Sequence, residues 1–254
     1  MWQEREVNMI EKVNFGFLKV SKKIKDEMIS NLFTSVSDKY DLMNDVMSFG
    51  LHRLWKKRMV SMCNPRNISK VIDIASGTGD ISLELLKKNK NLSVTCLDSS
   101  QEMHKICKRK MVDNGFVKNI KYVRSSIEKC NLKDNSFDVA STAFGFRNFT
   151  DYNLSLKNIY RMLKPGGKII ILELCTPKNK YMNKVFQEYT FKIIPQLGKI
   201  IANDSDSYNY LAESIKMHPN PTKVLEMLRI NNFINTKLFY LSGGIVTIHI
   251  GYKN

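Results

Sequence analysis

Asp73, Gly77, Thr78, Gly79 and Asp98 are the residues whose types and spacing most directly suggest chemistry. In residues 70–80, KVIDIASGTGD, an apolar run carries an acid, two glycines bracket a threonine, and Asp80 opens the next periodic stretch. Glycines so placed let the backbone turn sharply and let a ligand lie close, while free N–H groups at a helix start favour an anionic group. Ser82 holds the place where a dinucleotide fingerprint has its third glycine, so a pyrophosphate is disfavoured. Asp98 ends the next apolar run, Val94-Thr95-Cys96-Leu97, nineteen residues beyond Gly79. A carboxylate there can accept hydrogen bonds from ribose hydroxyls. The pattern fits a nucleoside without a pyrophosphate.

A second concentration is FTSVSDKYDLMNDVMSFGLHRLWK, residues 33–56, where Tyr40, Asn44, His52 and Trp55 are set among apolar residues with a break at Ser48-Phe49-Gly50. Polar aromatic groups beside apolar ones suit the wall of a pocket. A third is FGFRN, residues 144–148, which puts Arg147 just past a predicted strand.

The elements that position these residues follow from periodicity. Val71, Ile72, Ile74 and Ala75 read as a strand buried on both faces, and Asp80 starts a helix carrying Ile81, Leu83, Leu85 and Leu86. Residues 101–114 form a helix ended by Gly115, 120–125 and 137–143 are strands, 151–163 is a helix stopped by Pro165-Gly166-Gly167, and 168–174 is another strand. Strands alternating with helices imply a parallel sheet with ligand at the strand C-terminal ends. Residues 236–241 and 245–251, joined by Ser242-Gly243-Gly244, read as a hairpin. Ile24, Met28, Leu32, Val36 and Tyr40, at steps of four, predict one helical stripe, after an N-terminal stretch in which residues 14–17 look like an ordered anchor.

Composition bounds the function. The chain has 254 residues, 43% of them hydrophobic, enough for one large α/β domain with a full core. No apolar run approaches a membrane span, and residues 1–11 are too acidic and polar for a signal peptide. Five cysteines without C-x-x-C spacing fit a reducing compartment, with Cys96 and Cys175 as small core residues in strands. The four histidines form no ligand pair, so no metal is expected. A net charge of +16 draws a protein to nucleic acid or to an anionic membrane, although the lysines are scattered as on a solvated surface.

Residues 33–56 resemble the signature of the ubiquinone/menaquinone biosynthesis C-methyltransferases, the family of bacterial UbiE and the eukaryotic quinol methylases. Residues 141–177, 194–215 and 242–254 resemble the corresponding family stretches, so the likeness runs from about Phe15 to the C-terminus. Phe15-Gly16-Phe17 is similar to the mitochondrial and α-proteobacterial branch. The resemblance implies a class I SAM-dependent methyltransferase (SAM being S-adenosylmethionine): a seven-stranded, mostly parallel α/β sheet with an antiparallel C-terminal hairpin. Residues 1–62 would form a helical substrate cap and 63–254 the methyltransferase domain.

It further implies SAM as methyl donor, held by Tyr40, Asp73, Gly77, Thr78, Gly79, Asp98, Ser99, Ser126, Ile127 and Ala143. Tyr40 would face the sulfonium, since an aromatic face stabilises a cation. Two departures from the family pattern are Ser126-Ile127 and Ser99-Ser100 after Asp98. The acceptor would be a ring carbon of a polyprenylated methoxy-benzoquinol, with demethylmenaquinol as the alternative. A phenol titrates near ~10, so the site must stabilise a phenolate. Arg147 would hold the oxyanion, being too basic to act as a base, while a water or His52 takes the proton; the competing role for Arg147 is a structural pair with Asp151. Asn44, Trp55, Asn148, Tyr208 and Tyr210 would line the substrate site. Residues 181–201 read as plain core packing, and under the resemblance as a lid for the prenyl tail.

Expected partners are the polyprenyl quinol, an anionic membrane surface, other quinone-biosynthesis proteins and a second copy in a homodimer. The implied location is the matrix side of the mitochondrial inner membrane, or the cytoplasm of a bacterium. A nucleic-acid methylase is disfavoured, because Phe144-Gly145-Phe146-Arg147 stands where such enzymes carry an N-P-P-Y-like tetrapeptide. A catalytically silent pathway scaffold is compatible with the same fold.

Overall fold

The computed structural model describes residues 12–254. The chain begins with an antiparallel hairpin, β1 (Lys12–Phe15) and β2 (Leu18–Ser21), followed by α1 (Lys22–Ser35), α2 (Tyr40–Ser48) and α3 (Leu51–Cys63). The βα alternation comes next: β3 (Lys70–Ile74), α4 (Asp80–Lys88), β4 (Ser93–Asp98), α5 (Gln101–Asp113), β5 (Ile120–Arg124), β6 (Phe137–Ala143), α6 (Tyr152–Met162) and β7 (Leu163–Leu174). The chain finishes with α7 (Lys180–Glu188), a π-turn (Tyr189–Ile193), α8 (Ile194–Ala202), α9 (Asp206–Met217), α10 (Pro221–Ile230), β8 (Ile234–Leu241) and β9 (Val246–Tyr252). The reading of residues 1–11 lies outside the described residues.

The seven strands are ordered β5-β4-β3-β6-β7-β9-β8, parallel except that β9 runs antiparallel to both β7 and β8. After β5 the chain crosses back to place β6 on the other side of β3. That reversal opens a crevice at the C-terminal ends of β3, β4 and β6.

Alternation along the strands feeds two apolar layers. Val71 faces one with Trp55, Met59, Leu85 and Leu86, while Ile72 and Ile74 face the other with Phe146, Leu156, Ile159 and Leu228. Each of these side chains except Trp55, which is 9% exposed, is fully buried and contributes roughly 1.5–3 kcal/mol. The expected boundary at 62/63 falls inside α3, whose Trp55, Met59, Val60 and Cys63 belong to the first of these layers. The capping segment is therefore the hairpin with α1 and α2, and α3 is part of the sheet's own covering.

Two sequence expectations are corrected, and one is made specific. The single stripe from Ile24 to Tyr40 is two helices: α1 ends at Ser35 with Val36 as its C-cap, a 3₁₀ turn over Ser37–Lys39 intervenes, and α2 starts at Tyr40. The ordered anchor near Phe15 is a strand hairpin whose Phe15 ring stacks on Tyr210 at 4.2 Å. Pro165-Gly166-Gly167 lies within β7, where the pairing with β6 shifts between Phe137 and Val139. A Cβ on Gly167 would come within 2.8 Å of the Lys164 carbonyl oxygen.

Candidate active site

The turn after β3 is built on a buried acid. Asp73 Oδ2 accepts from Ser82 Oγ at 2.7 Å and Oδ1 from Ser141 Oγ at 3.0 Å, which ties β3 to α4 and β6. Burial raises the Asp73 pKa to about 6 despite these donors. Gly77 (φ +53°) and Gly79 (φ +85°) both take the left-handed conformation, and a Cβ on Gly79 would sit 2.5 Å from Cys107 Sγ. The two glycines therefore differ in purpose: Gly79 lets α5 pack against the turn, and Gly77 faces an open cavity.

That cavity, about 180 Å³, is lined by Ala75 and Gly77 after β3, Asp98 and Ser99 after β4, Ser126 and Ile127 beyond β5, and Ala143 at the end of β6. Tyr40 and Phe33 form its roof from the capping segment. Asp98 accepts the Gly77 N–H on Oδ2 (2.8 Å) and the Ser100 N–H on Oδ1 (2.9 Å). A carboxylate accepts about four hydrogen bonds, so capacity remains for two vicinal hydroxyls. Buried Ser126 Oγ has no partner among the described residues, a second polar demand on the cavity wall. These features fit the nucleoside half of SAM. Asp73, Thr78 and Gly79, expected at the cofactor, are not on this cavity's wall; Asp73 and Gly79 shape the turn from beneath.

Thr78 has a different task. Its Oγ1 donates to Asp41 Oδ1 on α2 at 2.8 Å, and Lys110 Nζ reaches Asp41, Thr78 and Asp80 at 2.7, 3.1 and 2.5 Å. Lys56 on α3 closes the network on Asp80 at 2.7 Å. Burial pushes the Asp80 pKa up, but the two ammoniums outweigh it and hold the carboxyl well below its usual range.

A second cavity, about 340 Å³, adjoins the first, and Phe33, Tyr40 and Phe144 line both. Among its lining residues are Asn44, His52, Trp55, Arg147, Tyr208 and Tyr210, so all the expected catalytic residues and all the expected substrate residues except Asn148 meet here. Asn148 lies on the first cavity and accepts from Tyr210 Oη at 3.0 Å, bridging the two. Of the 181–201 segment, Met182, Val185, Phe186, Tyr189, Thr190 and Ile194 line the cavity. Ile200 instead points out, 79% exposed.

His52 Nε2 lies 2.8 Å from Asp45 Oδ1, and Arg53 holds the same carboxylate through Nε and Nη2 at 2.7 and 2.6 Å. With an ionised Asp45 accepting from Nε2–H, a neutral ring presents a lone pair at Nδ1. Nδ1 is buried and has no partner among the described residues. Burial, joined by the Lys56 ammonium, lowers the His52 pKa against the pull of Asp45, so the ring is neutral and able to take a proton.

Arg147 is 7% exposed at its side chain and pairs with fully buried Glu173 of β7, Nη1 to Oε1 at 2.8 Å. It also donates to the Phe144 carbonyl oxygen (Nη1, 2.5 Å) and Ser214 Oγ (Nε, 3.3 Å). The structural partner is thus Glu173, and Asp151 pairs with Lys22 at 2.9 Å because it caps α6 at the protein's edge. Sequence reading missed Glu173, whose only signal is a lone acid in the apolar run IIILEL, and Phe33 and Phe144, which look like ordinary core residues.

The model for the ubiE/COQ5 methyltransferase family matches residues 21–253. The chain is 44% identical to the ubiquinone/menaquinone biosynthesis C-methyltransferase UbiE of Psychromonas ingrahamii, over 94% of this chain and 96% of that one. It is 45% identical to the protein of the same name from Wigglesworthia glossinidia brevipalpis, with the same coverage. Its fold is similar to the crystal structure of a SAM-dependent methyltransferase from Thermotoga maritima, with a TM-score of 0.60 at 15% identity over 89% of this chain and 99% of that one. With a matching family model over more than nine-tenths of its length and the crevice where such folds bind SAM, the chain belongs to the ubiE/COQ5 methyltransferase family.

Proposed function

We propose that the chain transfers a methyl group from SAM to a ring carbon of a polyprenylated quinol, a methoxy-benzoquinol on the ubiquinone route or demethylmenaquinol on the menaquinone route. The observation that carries this reading is the junction of an apolar aromatic cavity with the nucleoside cavity at Phe33, Tyr40 and Phe144. The names of the bacterial relatives support the quinone assignment. SAM supplies an electrophilic methyl on a sulfonium. Asp98, Ser99 and the Ser126-Ile127 pair bind its nucleoside, and Tyr40 presents a ring toward the cationic end.

A ring carbon becomes nucleophilic when an adjacent hydroxyl loses its proton. His52 Nδ1, fixed by Asp45, accepts that proton directly or through a water; as the new C–CH₃ bond forms the S–CH₃ bond breaks, the thioether product leaves, and the ring carbon's own proton returns to the ring oxygen to restore the aromatic quinol. Arg147 stabilises the phenolate, with Asn44, Trp55, Tyr208 and Tyr210 orienting the ring. Met182, Val185 and Phe186 cover the first units of the tail, each methylene contributing about 0.8 kcal/mol on burial.

The substrate's tail resides in lipid, and the +16 charge favours peripheral attachment to an anionic membrane. Among the described residues no helix is long and apolar enough to cross a membrane. The relatives named above are bacterial and lend no support to a mitochondrial location, so the inner leaflet of a bacterial membrane is the surface we favour.

The test is methyl transfer by the purified chain from SAM to a short-chain methoxy-quinol, followed by mass spectrometry. Turnover that falls by about 10²–10⁴ in His52→Gln with unchanged SAM affinity supports the assignment; SAM binding without methylation of any quinol would leave the silent scaffold as the answer.

A further inference from the structure

The larger cavity opens on an apolar rim that water should not favour. Phe49, at the turn between α2 and α3, is 82% exposed, and Val185 on α7 is 54% exposed; both line the cavity as well. Leu54, one turn further along α3 from Leu51, is 61% exposed, and Tyr181 at the start of α7 is 80% exposed. Phe49 and Leu51 line the same cavity as Met182 and Val185 of α7, and the Phe49 ring lies 6.2 Å from that of Tyr189, in the π-turn that follows α7. α7 has no buried residue at all. Apolar groups gathered around a cavity mouth mark a contact surface, whereas scattered ones would not.

The charge around this rim is predominantly positive. Arg53 and Lys56 of α3 are paired with Asp45 and Asp80, but Lys57 and Arg58 add to them, and residues 178–184, KNKYMNK, carry three lysines with no acid; Glu188, at the far end of α7, is paired with Lys192. Asp45, the acid nearest the turn, is already held by Arg53 and His52. A second copy of the chain docking through this face would bring like charges together. An anionic lipid surface offers what the rim lacks: phosphate groups for the lysines and acyl chains for the exposed apolar side chains.

We infer that the rim formed by the α2–α3 turn and the start of α7 is the membrane-docking face, with Phe49, Leu54 and Tyr181 entering the lipid so that the cavity opens directly into it. The inference rests on the polyprenyl-quinol reading for the purpose of the face, but its physical content is read without substrate. A tail entering between the α2–α3 turn and α7 would pass from acyl chains to Met182 and Val185 without crossing water.

The experiment is sedimentation of the full chain with vesicles of phosphatidylglycerol and phosphatidylcholine, compared with phosphatidylcholine alone. Leu54→Asp/Tyr181→Asp is the test variant, because neither residue lines either cavity and both are solvent-exposed. A Tyr181→Cys protein carrying a polarity-sensitive dye reports on the environment at the rim. The expected results are binding to the anionic vesicles, affinity weakened about tenfold or more in the double variant, and a blue-shifted dye in lipid. The variant should retain methylation of a detergent-solubilised short-chain quinol. Equal vesicle binding by parent and variant would overturn the inference, placing lipid contact elsewhere. So would a dye shift that follows protein concentration in place of lipid, which would make the face a dimer interface. A parent that docks as expected yet methylates no quinol would sink the substrate reading and leave the docking face standing.

Discussion

Arg147 carries two burdens that separate experimentally. Its guanidinium neutralises Glu173, which has no access to water, and removing one member of such a pair leaves an uncompensated buried charge. Arg147→Ala should therefore destabilise the protein by about 3–5 kcal/mol in urea unfolding. Arg147→Lys should recover part of that while turnover stays low, because an ammonium lacks the planar fork whose Nη1 reaches Glu173 and the Phe144 carbonyl oxygen while its Nε reaches Ser214. If Arg147→Ala keeps its stability and loses only turnover, the buried pair is not what holds β7 to the FGFRN turn. Asp98 is the simpler case: with two N–H donors already on it and the cofactor hydroxyls to come, Asp98→Ala should weaken SAM binding by about 1–3 kcal/mol in calorimetry. The positions of Asp98, which ends β4, and Arg147, which lies in the turn after β6, were legible in the sequence because each follows an apolar strand run to its C-terminal end. Glu173 was not, because nothing in a one-dimensional pattern tells a buried acid which cation, 26 residues away, will reach it.

At the scale of elements, most strands and helices read from the sequence were legible to within a residue or two, since their hydrophobic periods are strong; the exception is β7, which begins at Leu163 and carries Pro165-Gly166-Gly167 within it. The capping segment was legible in content but not in shape. Residues Ile24 to Tyr40 keep a four-residue apolar period through the kink, so only the backbone at Val36 reveals two helices. The kink matters because it turns α2 so that Asp41 reaches Thr78 and Lys110, a latch between the cap and the cofactor turn. Tyr40 and Phe33 roof the nucleoside cavity, and we propose that a cofactor held there enters or leaves when this latch yields. Asp41 is partly solvated, with 41% of its side chain exposed, which weakens the ion pair. Asp41→Ala should cost about 0.5–1.5 kcal/mol of latch free energy, raising the SAM dissociation rate about two- to tenfold. Stopped-flow displacement measures this; an unchanged rate would mean that the cap does not gate the cofactor.

Over the whole molecule, the buried histidines set a response to acid that composition alone does not foretell. His249, 1% exposed in β9, lies 3.0 Å from the Pro221 carbonyl oxygen through Nε2, and burial drives its pKa down to about 4. His218, packed on Phe146 after α9, is likewise lowered by burial to about 4. Between pH ~4 and the unfolded value near ~6.5 the native state binds fewer protons than the unfolded chain, so stability is full above pH ~6.5 and is lost as pH falls toward 4. For fully buried His249 the loss is on the order of 3 kcal/mol. A second acid effect has the same sign: the chain already carries +16, and each proton adds to its self-repulsion. Salt distinguishes them, because it screens repulsion between surface charges and leaves the desolvation of a buried imidazole untouched. Urea unfolding at pH 7 and pH 4.5 should therefore show a stability difference that shrinks but persists in high salt. In His249→Gln, whose amide can still donate to the Pro221 carbonyl oxygen, the persistent part should fall. If salt removes the whole difference, surface repulsion drives the acid response and the buried imidazoles contribute nothing to it.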